Sequence, residues 1–248
     1  MIGIGAGDPD HLTLQAVKAL KSADVIFIPD KGAEKEDLRR LREEVCRCHA
    51  PQARVVEFGS VPRQSETGDY ARDVERWHGQ IAAFYVDLLR TEIGETQTGA
   101  FLVWGDPSLY DSTLRVLDAV QARGAFPFQC EVIPGITSVQ TLAARHRLAL
   151  NRIGRPVHIT TGRRLAAEGW PEGADSVVVM LDGEQAFLRL AGEDFDIFWG
   201  AYLGTADEIL TAGPLEEVSG EIARTRAEAR ERKGWIMDTY LLRKRSGD

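Results

Sequence analysis

The sequence predicts an α/β protein made of two α/β domains with mainly parallel or mixed sheets. Three observations carry this. Short apolar runs alternate with amphipathic stretches of helical period through the first half of the chain, the pattern of strand–helix–strand units. Several more strand-like runs follow in the second half. The length of 248 residues, with 44% hydrophobic and 27% charged side chains, suits one large globular domain or two of ordinary size.

The elements follow in order. "MIGIG" is a short apolar strand ending in glycines, and Thr13 to Ser22 is an amphipathic helix with Leu14, Val17, Ala19 and Leu20 near one face. "DVIFIP" is a buried strand stopped by Pro29, Glu34 to Cys48 a charged helix, and "RVVEF" a strand. Residues 59–69 are polar and punctuated by Gly and Pro, hence a loop. Asp69 to Ile93 is a long helix with Trp77, Ile81, Phe84, Tyr85 and Leu88 on its apolar side, and "AFLVW" is the next strand. Ser112 to Arg123 is a helix, "FQCEVI" a strand, and Thr137 to Arg147 a helix opened by a hydroxyl cap. Strands at "PVHITT", "SVVVML", "IFWGAYL", "DEILTA" and "WIMDTYLLR" follow, with helices at 183–191 and 215–232. The domain junction is placed near residue 110, giving domains 1–110 and 111–248.

Composition narrows the function. The net charge of −8 disfavours a nucleic-acid backbone as partner. No apolar run reaches the roughly 18–20 residues that span a bilayer, and the start does not read as a secretory signal. Three cysteines without framework or zinc spacing read as free thiols in a reducing cytoplasm, with no metal site. Arginine outnumbers lysine, and Arg145, Arg147, Arg152, Arg155, Arg163 and Arg164 fall close together. Such a group could pair with a substrate carrying several carboxylates, or it could be a solvated surface.

Three turns could carry chemistry. Gly3, Gly5 and Gly7 give G-x-G-x-G followed by Asp8, which departs from the G-x-G-x-x-G of a dinucleotide site. In "WGDPSLYDS", Asp106 follows a strand, where ligands of open parallel sheets bind. It could equally cap a helix with Pro107 in the first turn. "VIPGITS" repeats the pattern with Thr137 and Ser138. Met180 ends "SVVVM", a soft side chain suited either to a core or to a flat ring.

Together, "IGIGAGDPDHLTLQA", "ADVIFIPD", "WGDPSLYDS", "VIPGITS", "VVVML" and "TAGPLEEV" resemble, in order and spacing, the tetrapyrrole methylases, over residues 2–243. Within the family, "WGDPSLYDSTLRVL", "PGITSVQTLAARHRLALNRIG", "ITTGRRL" and "WGAYLG" look like the branch that methylates precorrin-5 at ring carbon 1, releasing its acetyl group as acetate and giving precorrin-6A. The resemblance implies two α/β domains with S-adenosylmethionine in the interdomain cleft and S-adenosylhomocysteine as product. It implies donor contacts at Ala6, Trp104, Gly105, Asp106, Leu109, Thr137 and Ser138. Met180, Tyr202 and Leu203 should pack around the adenine, and Gly213, Pro214 and Leu215 match a turn that contacts the base. Pro214 stands where the family has threonine, and Ala6 where it has proline.

Methyl transfer to an electron-rich ring needs alignment more than a protein nucleophile. Acetyl release needs water and would be helped by a base. Asp8, Asp30 and Tyr110 are the candidates; some relatives place an acid at Pro29, one position before Asp30. Arg63, Arg147, Arg152, Arg163 and Arg164 are candidates for the substrate carboxylates. A cytoplasmic homodimer without nucleic-acid or membrane partners is expected. The competing readings are a methylase of another ring carbon, a non-catalytic tetrapyrrole carrier and a nicotinamide-dependent reductase.

Overall fold

The computed structural model describes residues 1–30, 36–59, 61, 70–192 and 194–245. The chain forms two compact units, Met1–Gly5 with Pro9–Ile136 and Ala6–Asp8 with Thr137–Asp248.

The first unit holds β1 (Ile2–Gly3), α1 (Leu14–Lys21), β2 (Val25–Pro29), α2 (Glu36–His49), β3 (Arg54–Phe58), α3 (Tyr70–Glu92), β4 (Gly99–Val103) and α4 (Thr113–Ala122). Its four strands are all parallel, in the order β1-β4-β2-β3. Alternation along β2 decides what each face receives. Ile26 and Ile28 point toward α1 and α2, packing with Leu20, Val45 and Cys46. Val25 and Phe27 point the other way, onto Val86 and Leu89 of α3 and Leu117 and Val120 of α4. Phe27 stacks on Phe101 at 4.7 Å. Thr13 starts α1 by accepting a hydrogen bond from the Ala16 amide at 3.0 Å.

The expected boundary near residue 110 is corrected by this packing. Residues 111–136 belong to the first unit, because α4 covers one sheet face and Ile133 bridges β1. The expected strand "FQCEVI" reduces to that bridge: Gly3 donates to the Ile133 carbonyl at 3.0 Å, and Ile133 to that of Met1 at 2.8 Å. Only Ile133 of that run is buried, so the rest has no apolar face to set a register.

The second unit holds α5 (Ser138–Arg145), β5 (Val157–Thr161), α6 (Gly162–Glu168), β6 (Ser176–Met180), β7 (Phe195–Ala201), β8 (Ile209–Pro214), α7 (Leu215–Lys233) and β9 (Asp238–Lys244). The sheet order is β5-β6-β9-β7-β8, parallel between β5 and β6 and antiparallel elsewhere. Val177, Val179, Ile197, Trp199, Tyr240 and Leu242 pack onto Leu215, Ile222 and Ala229 of α7. A capping box between Thr137 and Gln140 opens α5. The sequence reading missed α6, which Thr161 caps and Gly169 ends. The helix expected at 183–191 is a 3-10 turn at Ala186–Leu190. Among the described residues no helix is long and apolar enough to cross a membrane.

Candidate functional site

In the first unit the carboxyl ends of all four strands share one edge, because the strands are parallel. The glycines of that edge are there for close approach. A Cβ on Gly3 would lie 2.6 Å from the Gly135 nitrogen, and one on Gly135 would overlap the Gly105 carbonyl oxygen. Three backbones therefore cross where side chains cannot fit.

Asp106 ties this node together. Its Oδ2 accepts from the Gly135 amide at 2.8 Å, and its Oδ1 from the Ser108 amide at 2.8 Å and from the Ser108 hydroxyl. Burial raises its pKa, but these hydrogen bonds outweigh burial and hold it below the usual 3.8. It is not a helix cap, since α4 begins only at Thr113, whose amide is taken by Asp111 at 2.7 Å. Trp104 is half-buried with the Arg42 guanidinium 5.8 Å from its ring centroid. Leu109 closes the turn through its amide to the Asp106 carbonyl at 3.2 Å. Tyr110 is exposed and takes a φ of 53°. Asp30 is exposed just past β2, its amide donating to the Phe58 carbonyl at 2.8 Å.

In the second unit β5, β6 and β7 run the same way, so Thr161, Met180 and Ala201 end at one edge, where β9 begins. Met180 pairs with Thr239, which also pairs with Gly200. The Ser138 and Thr239 hydroxyls lie 2.9 Å apart. The structure thus brings Ser138 and Met180 together at Thr239, a residue the sequence reading did not single out. Its signal was faint: an Asp-Thr pair interrupting an apolar run.

The chain matches the family model for tetrapyrrole (corrin/porphyrin) methylases over residues 1–219. The chain belongs to the tetrapyrrole methylases. The methylase is 54% identical over 246 residues to a precorrin-6A synthase [deacetylating] of Sinorhizobium sp, covering 98% of this chain and 94% of that protein. A putative cobalamin synthesis related protein from Corynebacterium diphtheriae superposes with a TM-score of 0.85 at 41% identity, covering 98% of this chain and 96% of that one. The fold is also that of a uroporphyrin-III C-methyl transferase from Thermus thermophilus complexed with S-adenyl homocysteine. That structure has a TM-score of 0.58 at 21% identity, with 97% of this chain and 94% of that chain covered.

The methylase's other expected site residues fall in the core or at other strand ends. The Tyr202 ring is in the core, not at an open edge. Its hydroxyl donates to the Trp235 carbonyl at 2.6 Å, its ring meets Trp235 edge-on, and it is 1% exposed. Leu203 is buried as well. Gly213 and Pro214 pair with Ile197 and Asp196 at the start of β7, the opposite edge of the sheet from Met180. Three register steps for Gly213 and four for Pro214 separate them from the Met180 level, about 10–13 Å along the strands. Leu215 is a core residue of α7.

The arginines also divide. Arg152 pairs with Asp175 at 3.0 Å and donates to the Lys244 carbonyl, binding the far ends of β6 and β9 together. Arg164 pairs with Glu168 one turn along α6. Arg147 is exposed beyond α5 with φ 54°. Arg163 is exposed on the first turn of α6, beside the end of β5. Arg63 lies outside the described residues. Ala6 is buried, and Asp8 sits 3.8 Å from the Arg145 guanidinium, which also pairs with Glu208 at 2.9 Å. Burial and Glu43 push the Cys46 thiol up to about 11, so it stays protonated at neutral pH.

Proposed function

We propose that this methylase transfers a methyl group from S-adenosylmethionine to ring carbon 1 of precorrin-5, with the acetyl group leaving as acetate, to give precorrin-6A. The observation that carries this is the 54% identity to the Sinorhizobium enzyme along nearly the whole of both chains. The bound donor supplies an electrophilic methyl group on a sulfonium.

The residues present fit such a donor. The Asp106 carboxylate is ionised at neutral pH and keeps acceptor capacity beyond its three hydrogen bonds, so it can receive an ammonium group. Met180 offers a half-buried, polarizable surface for a flat base. Ser138 and Thr239 offer hydroxyls beside it. Trp104, Gly105 and Leu109 shape the turn that presents Asp106.

Acetyl release takes its second oxygen from water. Asp30 and Tyr110 follow strands that end at the same edge as Asp106, and they are the proposed groups for managing the proton. Asp8 is less available for that role, because the Arg145 guanidinium lies 3.8 Å from its carboxylate. Arg163 is proposed to pair with a substrate carboxylate. The reading takes the protein as a cytoplasmic homodimer acting on a polycarboxylate tetrapyrrole. The charge of −8 supports the absence of a nucleic-acid partner.

The test combines product mass with donor binding. Incubation with precorrin-5 and S-adenosylmethionine is expected to give a product that has gained one methyl and lost the acetyl, with free acetate in equal amount. Methyl gain without acetate would assign the enzyme to another ring carbon. Isothermal titration with S-adenosylhomocysteine should show saturable binding, weakened about tenfold or more in Asp106→Ala and in Met180→Arg. A wild-type protein that binds no donor product would overturn the reading.

A further inference from the structure

Among the described residues, Leu181 (φ 52°) and Tyr202 (φ 49°) take left-handed backbone directly after the last residues of β6 and β7. That conformation is uncommon for side chains of this size and stores strain. The start of β9 lies between them, since Met180 pairs with Thr239 and Ala201 with Asp238. Burial accounts for Tyr202, whose ring fills the core. It does not account for Leu181, which is 63% exposed. A glycine would hold the same backbone without strain.

Directly behind these turns is a buried polar network. Arg226 of α7, 6% exposed, donates through Nε to Asp238 Oδ2 at 3.0 Å and through a terminal nitrogen to the Asp182 carbonyl. Asp238 Oδ2 also accepts from Trp199 Nε1 at 2.9 Å. The Asp182 carboxylate accepts from the Tyr240 hydroxyl at 2.6 Å and from the amides of Ala186 and Glu184. Gly162 abuts this carboxylate so closely that a Cβ would overlap it. Burial pushes both the Asp238 carboxyl and the Tyr240 hydroxyl up, a sign of what enclosing them costs. Apolar side chains of the same volume often serve as well or better in place of buried charges. One arginine therefore spans from the residue after Leu181 to the first residue of β9.

We propose that Arg226 is a positioning residue: by joining the turn after β6 to the start of β9, it holds Leu181 in its strained conformation as an apolar platform for the donor's flat base, next to Met180. The proposal rests on the donor reading above and adds to it the device that shapes that edge.

The experiment compares Leu181→Gly, Arg226→Lys and their combination by titration with S-adenosylhomocysteine and by thermal unfolding. Relief of strain should leave the unfolding midpoint of L181G equal to or above that of the wild type, while its Kd weakens about tenfold. Leu181→Met, which keeps an apolar side chain, should restore most of the affinity. R226K keeps the charge but cannot span both acceptors, so its Kd should also weaken and its donor KM should rise more than its kcat falls. Because Arg226 acts through Leu181, R226K should cost little further affinity in the L181G background. Wild-type affinity in L181G, a joint fall of its affinity and midpoint, or additive losses in the double variant would each overturn the proposal. A wild-type protein that binds no donor product is a separate failure, of the donor reading itself.

Discussion

In the first unit the strand ends meet backbone to backbone at Gly3, Gly105 and Gly135, with one surface carboxylate, Asp106, stitching them. In the second they are held from behind by buried side chains: Arg226, Asp238, Asp182 and Tyr240. Sheet composition explains the contrast. An all-parallel edge gathers only chain turns, which can approach closely where they carry no Cβ. In the mixed sheet β9 starts at the edge where β6 and β7 stop, so side chains on β9 and α7 can reach the turns on either side. The first arrangement tolerates no added volume. The second tolerates no lost partner.

Volume should give the largest effect. Gly135→Ala drives a methyl group into the Gly105 carbonyl, and neither backbone can yield without moving β1 or β4. We expect a loss of about 3 kcal/mol or more in urea unfolding. Gly124→Ala is the control for backbone strain without crowding: its φ of 61° is left-handed, unlike that of Gly135, and nothing lies near its Cβ position, so about 1 kcal/mol is expected. Equal losses at the two positions would mean that the crossing of backbones at Gly135 costs no more than an ordinary strained turn.

Lost partners should cost less. Tyr240→Phe keeps the ring that meets Phe187 edge-on and removes the hydroxyl that donates to Asp182. Asp182 then retains its amide donors only. The expected loss is about 1–2 kcal/mol, the penalty for an under-satisfied buried acceptor. A neutral result would mean that water or a shifted Arg226 fills the gap, and the contrast between the units would weaken.

The same contrast explains what could be read from sequence. Strands such as "DVIFIP" and "SVVVM" were legible because their apolar runs are bounded by turn residues. Thr137 and Ser138 were legible because a capping hydroxyl is a local signal. The glycine node was half legible: the glycines stood out, but their purpose depends on Gly135, more than a hundred residues from Gly3. The network was not legible, because Arg226 and Asp182 look like ordinary surface charges in sequence. Tyr202 and Leu215 show the limit of a motif match. Their positions match the family's motifs, while their side chains serve the core. The strand end occupied by Gly213 and Pro214 was not legible, because strand direction within a mixed sheet leaves no local trace and only the register shows it.

The smallest effect separates the units by pH. Hydrogen bonds from Ser108 and Gly135, opposed by burial, hold Asp106 below 3.8. Burial, opposed by Arg226 and Trp199, holds Asp238 above it. A carboxyl held low gives stability that is fully present above its unfolded value and is lost as the pH falls through its folded value. One held high works the other way, and its penalty fades on acidification. Asp106→Asn should therefore be less stable than the wild type at neutral pH, by an amount that shrinks in acid, below the usual 3.8, as the wild-type carboxyl takes up a proton. Urea titrations of both proteins at the two pH values measure this difference. If the deficit persists at low pH, the charge of Asp106 is not what holds the glycine node. The cause would then be geometric: an amide has a single acceptor oxygen, whereas a carboxyl group in either protonation state has two oxygens to turn toward the Gly135 and Ser108 amides.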